Sequence, residues 1–237
     1  MKISILTLFP EMFSGPFSES IIKRAQEKNK VTISFVNIRD FGIGPHKMVD
    51  DTPYGGGTGM VLKVDVLKAA LDATLDKTLS NDEQKVILMT ADGERYDQRL
   101  AEDYAKLAHL IIVCGHYEGV DERFRQYVDQ EVSIGDFVLT GGEIPSMLIT
   151  DSVVRLLDGV LKDGVTDSES FSHISNETYL LEYPLYTKPQ TFEGFDVPEV
   201  LLSGDHKKIA EWRLTQAKEK TLTRRPDLLK DSQSHSA

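Results

Sequence analysis

The chain has 237 residues, a formal net charge of −11, and 40% hydrophobic against 27% charged residues. That length supports one large domain, or a large one with a small companion, in a composition ordinary for a soluble globular protein. One cysteine, Cys114, excludes an internal disulfide and any multi-cysteine metal site, and the early apolar run ISILTLF is too short for a membrane span and lacks a cleavage site, so a cytoplasmic protein without a membrane partner is expected.

KISILTLFP reads as a buried strand closed by a proline, and Phe17, Ile21, Ile22 and Ala25 then recur at helical spacing until about Asn29. VTISFVNI alternates as a second strand. DDTPYGGGTGM, at 50–60, is a glycine-rich turn, followed by a helix whose apolar face is Val66, Leu67, Ala70 and Leu71. Further strands are expected at 85–90, 110–115 and 131–134, a helix at 97–106, and an amphipathic helix at 145–157. Strands alternating with helices imply an α/β domain with a mostly parallel sheet. After Gly164 the run TDSESFSHISNET has few large apolar residues and reads as an exposed linker. Beyond Tyr179 a proline-punctuated loop leads to a helix carrying Ile209, Trp212, Leu214 and Ala217, closed by Arg225-Pro226. The expected division is thus 1–161, a linker at 162–178, and a small helical domain at 179–237. Net acidity argues weakly against a nucleic-acid partner, yet residues 205–230 hold eight Lys or Arg against four Asp or Glu, so total charge does not decide the matter.

The glycine turn is not a phosphate loop. Gly59 is followed by Met60 and Val61 where a P-loop needs Lys and Ser or Thr, and the register fails a dinucleotide fingerprint. A mobile surface turn is the plain alternative. Cys114 beside His116 resembles an activated thiol, but it ends the apolar run LIIV and is better read as a small buried hydrophobe. Three other loops stand at expected strand ends: MTADGE, CGHYEGVDER and SIGDFVLTGGE. Ligands of open α/β sheets bind beyond the carboxyl ends of strands, so these loops outline a small-molecule pocket.

LTLFPEMF, VDDTPYGGGTGM, CGHYEGVDER, SIGDFVLTGGE, LEYPLYTKP, VLLSGDH and the pair WRL and RRPDLL occur in that order from residue 3 to about 229. Together they resemble the bacterial tRNA (guanine(37)-N1)-methyltransferases, members of the SPOUT superfamily. The resemblance implies a parallel sheet carrying a deep trefoil knot, a small α-helical C-terminal domain and a homodimer whose active sites draw on both subunits. It implies methyl transfer from S-adenosylmethionine to N1 of guanosine 37 of tRNA, which helps keep the reading frame. The cofactor is expected at Leu88, Met89, Thr90, Ala91, Gly115, Glu118, Ile134, Gly135, Asp136, Phe137, Val138, Leu139, Gly141, Gly142 and Pro145.

Guanine N1 is protonated at neutral pH, so a carboxylate must remove that proton while a fixed cation stabilises charge developing on O6. Arg155 matches the family's arginine for the second task. The family's base is an aspartate in Asp-Ser-Phe, where this chain has Glu169-Ser170-Phe171. Glu169 is the expected base, with Asp167 as a substitute. Asp50 and Gly59 are expected to read guanine edges, and Arg213, Arg224 and Arg225 to meet tRNA phosphates. Acidic groups near the cofactor admit a Mg2+ role that no ligand spacing demonstrates. Apart from the resemblance, the rival readings are an acid-base isomerase using Glu118 and Asp121, and a non-catalytic RNA-binding module driven by the basic tail.

Overall fold

The computed structural model describes residues 1–175 and 178–229. Residues 176–177 of the expected linker, and the last eight residues of the expected helical domain, lie outside the described residues. The chain divides into two units, Met1–Leu161 and Lys162–Ala237.

In the first unit the elements run β1 (Lys2–Thr7), α1 (Ser20–Glu27), β2 (Thr32–Asn37), β3 (Asp50–Asp51), β4 (Val61–Leu62), α2 (Val64–Thr74), β5 (Gln84–Arg95), α3 (Gln98–Ala105), β6 (His109–Cys114), β7 (Gln130–Ser133) and α4 (Glu143–Val154). The central sheet has order β2-β1-β6-β5-β7 with every pair parallel. Both faces are covered, which is why its strands read as continuous apolar runs rather than alternating ones. Ile3, Ile5, Ile87, Met89, Leu110 and Ile112 join one core layer with Ala25 of α1 and Ile149 and Val153 of α4. Leu6, Val86, Leu88, Ile111 and Val113 join the other with Leu67 and Leu71 of α2. The period-2 pleat thus splits each strand between two layers, and every fully buried aliphatic side chain contributes about 1.5–3 kcal/mol.

The structure corrects three expectations. The helix expected from Phe17 onward starts only at Ser20, because Gly15-Pro16 breaks the chain into two short 3-10 turns, Pro10–Phe13 and Pro16–Ser18. The strand expected at 85–90 continues to Arg95 through a bulge, with Met89 and Glu94 both opposite Val132. The helix expected at 145–157 spans Glu143–Val154 and is not amphipathic in the expected sense. Its charged Glu143 is 2% exposed, whereas Ile144 and Leu148 are 52% and 45% exposed.

In the second unit the stretch expected as a linker carries a 3-10 turn, Thr166–Ser168, and β8 (Ser172–Ser175), paired antiparallel with β9 (Thr178–Leu180). Phe171 N–H donates to the Leu180 carbonyl at 2.8 Å, extending the ladder. Short strands β10 (Thr191–Phe192) and β11 (Phe195–Asp196) precede α5 (Glu199–Leu202) and α6 (His206–Arg224). Asp205 caps α6 by accepting from the Lys207 and Lys208 amides, and Pro226 follows the end of the helix, as its missing N–H requires.

Candidate active site

At the carboxyl ends of β5, β6 and β7 three loops enclose a cavity of about 220 Å3. Met89, Thr90 and Ala91 of β5 form one wall, Gly115 and Glu118 a second, and Ile134, Gly135, Phe137, Val138, Leu139, Gly141, Gly142 and Pro145 the rest. Of the residues expected there, Leu88 and Asp136 are not in the wall. Leu88 is 1% exposed and belongs to the core layer of α2. His116, Tyr117, Gly119, Val132, Ser133 and Thr140 also line the cavity although they were not among the residues expected there. Their signal was position alone: all but Val132 fall inside the strand-end segments already singled out, and Val132 lies in the strand expected at 131–134.

The two longer loops meet main chain to main chain. Gly142 N–H donates to the Gly115 carbonyl at 2.8 Å, and His116 forms a β-bridge with Gly141. A Cβ on Gly142 would stand 2.7 Å from Cys114 Cα and 2.9 Å from Gly115 N, so any side chain there would part the loops. The bulge of β5 is pinned from outside by Arg125, which lies 3.2 Å from Asp92 and 2.9 Å from Glu122 and also contacts Glu131 of β7. The Thr90 hydroxyl and, less strongly, Arg125 hold the Asp92 carboxyl below the usual carboxylate range.

The glycine turn leans on this cavity. Asp50 pairs with Leu62 in the small β3–β4 ladder, and Asp51 lies 3.6 Å from the Lys63 ammonium. Glu118 N–H donates to the Met60 carbonyl at 3.0 Å. Gly59 has φ +90°, and a Cβ there would come within 2.6 Å of the Glu118 side chain. Asp50 and Gly59 therefore sit on a turn whose far side is a cavity wall.

Cys114 is 1% exposed, with Sγ 3.0 Å from the Ser146 hydroxyl, and burial pushes its thiol well above the ordinary range. It is a packed hydrophobe and no nucleophile. Asp121 is engaged as a cap: its carboxylate accepts from the Arg123 amide and guanidinium, which hold its carboxyl low. A carboxylate tied down in this way is poorly suited to exchange protons near neutral pH, which weakens the isomerase reading.

Arg155 is the C-cap residue of α4 in the first unit. Glu169 ends the 3-10 turn that contains Asp167 in the second. Arg213, on α6, stacks its guanidinium 4.8 Å over the Tyr183 ring, and Arg225 pairs with Asp227 at 2.5 Å, while Arg224 is exposed at the last turn. Among the described residues no three His, Cys, Asp or Glu side chains converge as a metal site, and no helix is long and apolar enough to cross a membrane.

The sequence profile of the family described as tRNA (Guanine-1)-methyltransferase TrmD matches residues 1–231. Among curated relatives, the tRNA (guanine-N(1)-)-methyltransferase of Bacillus cereus (strain G9842) is 54% identical over 98% of this chain and 93% of its own length. Those of Geobacillus kaustophilus and Carboxydothermus hydrogenoformans are each 53% identical over 97% of this chain, covering 91% and 88% of their own lengths.

Proposed function

The chain belongs to the tRNA (guanine-1)-methyltransferase family, and we propose that its target is the guanosine at position 37, 3′ of the anticodon, with the methyl donor held in the cavity beside Gly115 and Gly142. The enzyme methylates N1 of guanine in tRNA with S-adenosylmethionine as donor. The observation that carries the assignment of the cavity is its chemistry. Its described wall has one carboxylate, Glu118, no Lys or Arg, and a glycine floor open to main-chain contact. Such a wall repels phosphates and suits a cationic ligand that has none. When bound there, S-adenosylmethionine supplies a methyl group activated by its sulfonium.

The chain's own residues then have separable tasks. Glu169 takes the N1 proton, so that a lone pair becomes available. Arg155 donates to O6 as negative charge moves there, a role its planar fork suits. Asp50 accepts from guanine N1–H and N2–H2 edges, and the Gly59 main chain lets an unstacked base approach. Arg213 and Arg224 of α6 and Arg225 just beyond its end meet backbone phosphates, Arg225 exchanging Asp227 for RNA. A magnesium requirement finds no ligand cluster among the described residues. A tRNA substrate is consistent with a cytoplasmic location.

A homodimer and a trefoil knot complete the reading. A cavity of about 220 Å3 falls below the ~300–1,000 Å3 of pockets that bury a small ligand, so a second subunit has a wall to supply. The exposed Ile144 and Leu148 offer an apolar face for it. For the knot, the support is that residues 133–142 reach the loop after β6 before α4 packs back on β1 and β6.

Single-turnover methylation of tRNA transcripts with and without guanosine at position 37 tests the target: transfer to the first alone is expected, and transfer to both refutes it. In the same assay Glu169→Ala should lose at least a hundredfold in rate, and Asp167→Ala less than tenfold. Near-normal transfer by Glu169→Ala would move the base elsewhere.

A further inference from the structure

Beneath the cavity floor lies a buried polar chain that no step above uses. Glu143, the first residue of α4, is 2% exposed. Its Oε1 accepts a 2.8 Å hydrogen bond from the Thr7 hydroxyl at the end of β1. Its Oε2 lies 3.8 Å from Nδ1 of His116, a residue of the cavity wall. That gap is too long for a hydrogen bond and too short for a bridging water. Nδ1 is itself buried and has no hydrogen-bond partner among the described residues. Phe9 and Tyr117 hold the ring, each with its centroid 5.0 Å away. Both polar groups press on one glycine: a Cβ on Gly141 would stand 2.5 Å from Glu143 Oε2 and would overlap His116 Nδ1. A buried nitrogen left unmade is costly and calls for a reason.

We propose that Glu143 is a positioning residue for the methyl-donor site: on donor binding His116 closes onto it, Nδ1–H donating to Oε2, and Thr7, Glu143 and His116 then lock the 115–119 loop to the end of β1. The proposal rests on the cavity being the S-adenosylmethionine site. The movement is small, from 3.8 Å to the ~2.9 Å of an ordinary N–H···O bond. Polar contacts at such sites are often long before the ligand arrives and tighten in the complex. An ionised Glu143 only accepts, so it selects the Nδ1–H form of the ring; a glutamine keeps the shape but loses the charge-assisted bond.

The test uses full-length protein with 15N-labelled histidines, titrated with S-adenosylmethionine, the His116 signal being identified by its loss in His116→Asn. Binding should move His116 Nδ1 to the shift of a protonated, hydrogen-bonded nitrogen. Glu143→Gln should abolish that change and weaken binding at least tenfold by calorimetry, a combination that loss of packing alone would not give. If Glu143→Gln fails to fold, Thr7→Val and His116→Asn decide the matter: each should weaken binding several-fold, with no further loss in the double variant, and additive losses overturn the proposal. An unmoved His116 nitrogen in wild-type protein that binds the donor, or Glu143→Gln binding within twofold, overturns the latch and leaves the cavity assignment standing. Wild-type protein that binds no donor overturns both, starting with the cavity.

Discussion

His109 shows how one buried side chain makes the fold depend on pH. It is fully buried, with Nε2 2.9 Å from the Ser4 hydroxyl and Nδ1 2.8 Å from Gln84 Oε1. Gln84 Oε1 accepts from Nδ1–H and the Ser4 hydroxyl donates to Nε2, so the neutral ring is satisfied. Burial, with a smaller contribution from Lys2, pulls its pKa from 6.5 down to about 4. The unfolded chain therefore takes up a proton that the folded chain refuses between those values. Stability from this residue is full above pH 6.5 and drains away as pH falls to about 4, a loss on the order of 3 kcal/mol. Urea unfolding at pH 7 and pH 4.5 should show this loss in the wild type and a flatter profile in His109→Gln; equal slopes would place the acid sensitivity elsewhere. Nothing in the sequence marked His109 as different from the other histidines, because its character comes from Ser4 and Gln84, distant in the chain but adjacent across the sheet.

Among the elements, β5 enters the cavity wall where its bulge begins, at Met89, Thr90 and Ala91. Arg125 ties Asp92, in the bulge, to Glu131 of β7, so two neighbouring strands that both line the cavity share one cation. Arg125→Met should free the bulge and weaken S-adenosylmethionine binding about tenfold, about 1.4 kcal/mol, while unfolding at neutral pH shifts little. Calorimetry beside a thermal melt checks both halves. The segment MTADGE was legible as a strand-end loop, since glycine and small polar residues followed an apolar run. Its continuation as strand was not, because only pairing with β7 holds Glu94 and Arg95 in the ladder. The same limit explains α4. Its length and apolar content were readable, but which residue faces inward is set by the loops that cover Glu143. The expected range, 145–157, therefore began after Glu143, and its amphipathic pattern did not survive the packing.

At the scale of the molecule, the sequence carried the α/β class and its parallel sheet through strand–helix alternation, and the motif order carried the family. The cavity was legible to within its loops, because ligands of such sheets gather at strand ends. The depth of Glu143, the orphan nitrogen of His116 and the half-exposed apolar face of α4 were not, being products of packing between distant segments. That face yields a further test. If the proposed dimer forms through that face, Leu148→Glu combined with Ile144→Glu should leave monomers by sedimentation and reduce methyl transfer at least tenfold, with an unchanged far-ultraviolet spectrum. A dimer that persists would place the subunit contact on another surface. Sheet order has one more consequence, for synthesis on the ribosome. β1 pairs with β2 almost at once, but its other neighbour is β6, with Lys2 opposite His109. At about 5–20 residues per second, the chain between β2 and β6 takes roughly 4–14 s to make. For that interval the nascent strand holding Ile3, Ile5 and Leu6 has one open edge. A ribosome that stalls before β6 would thus release a fragment ready to pair with its neighbours, and slowing translation over residues 40–108 should raise the insoluble fraction more than the same delay after 115.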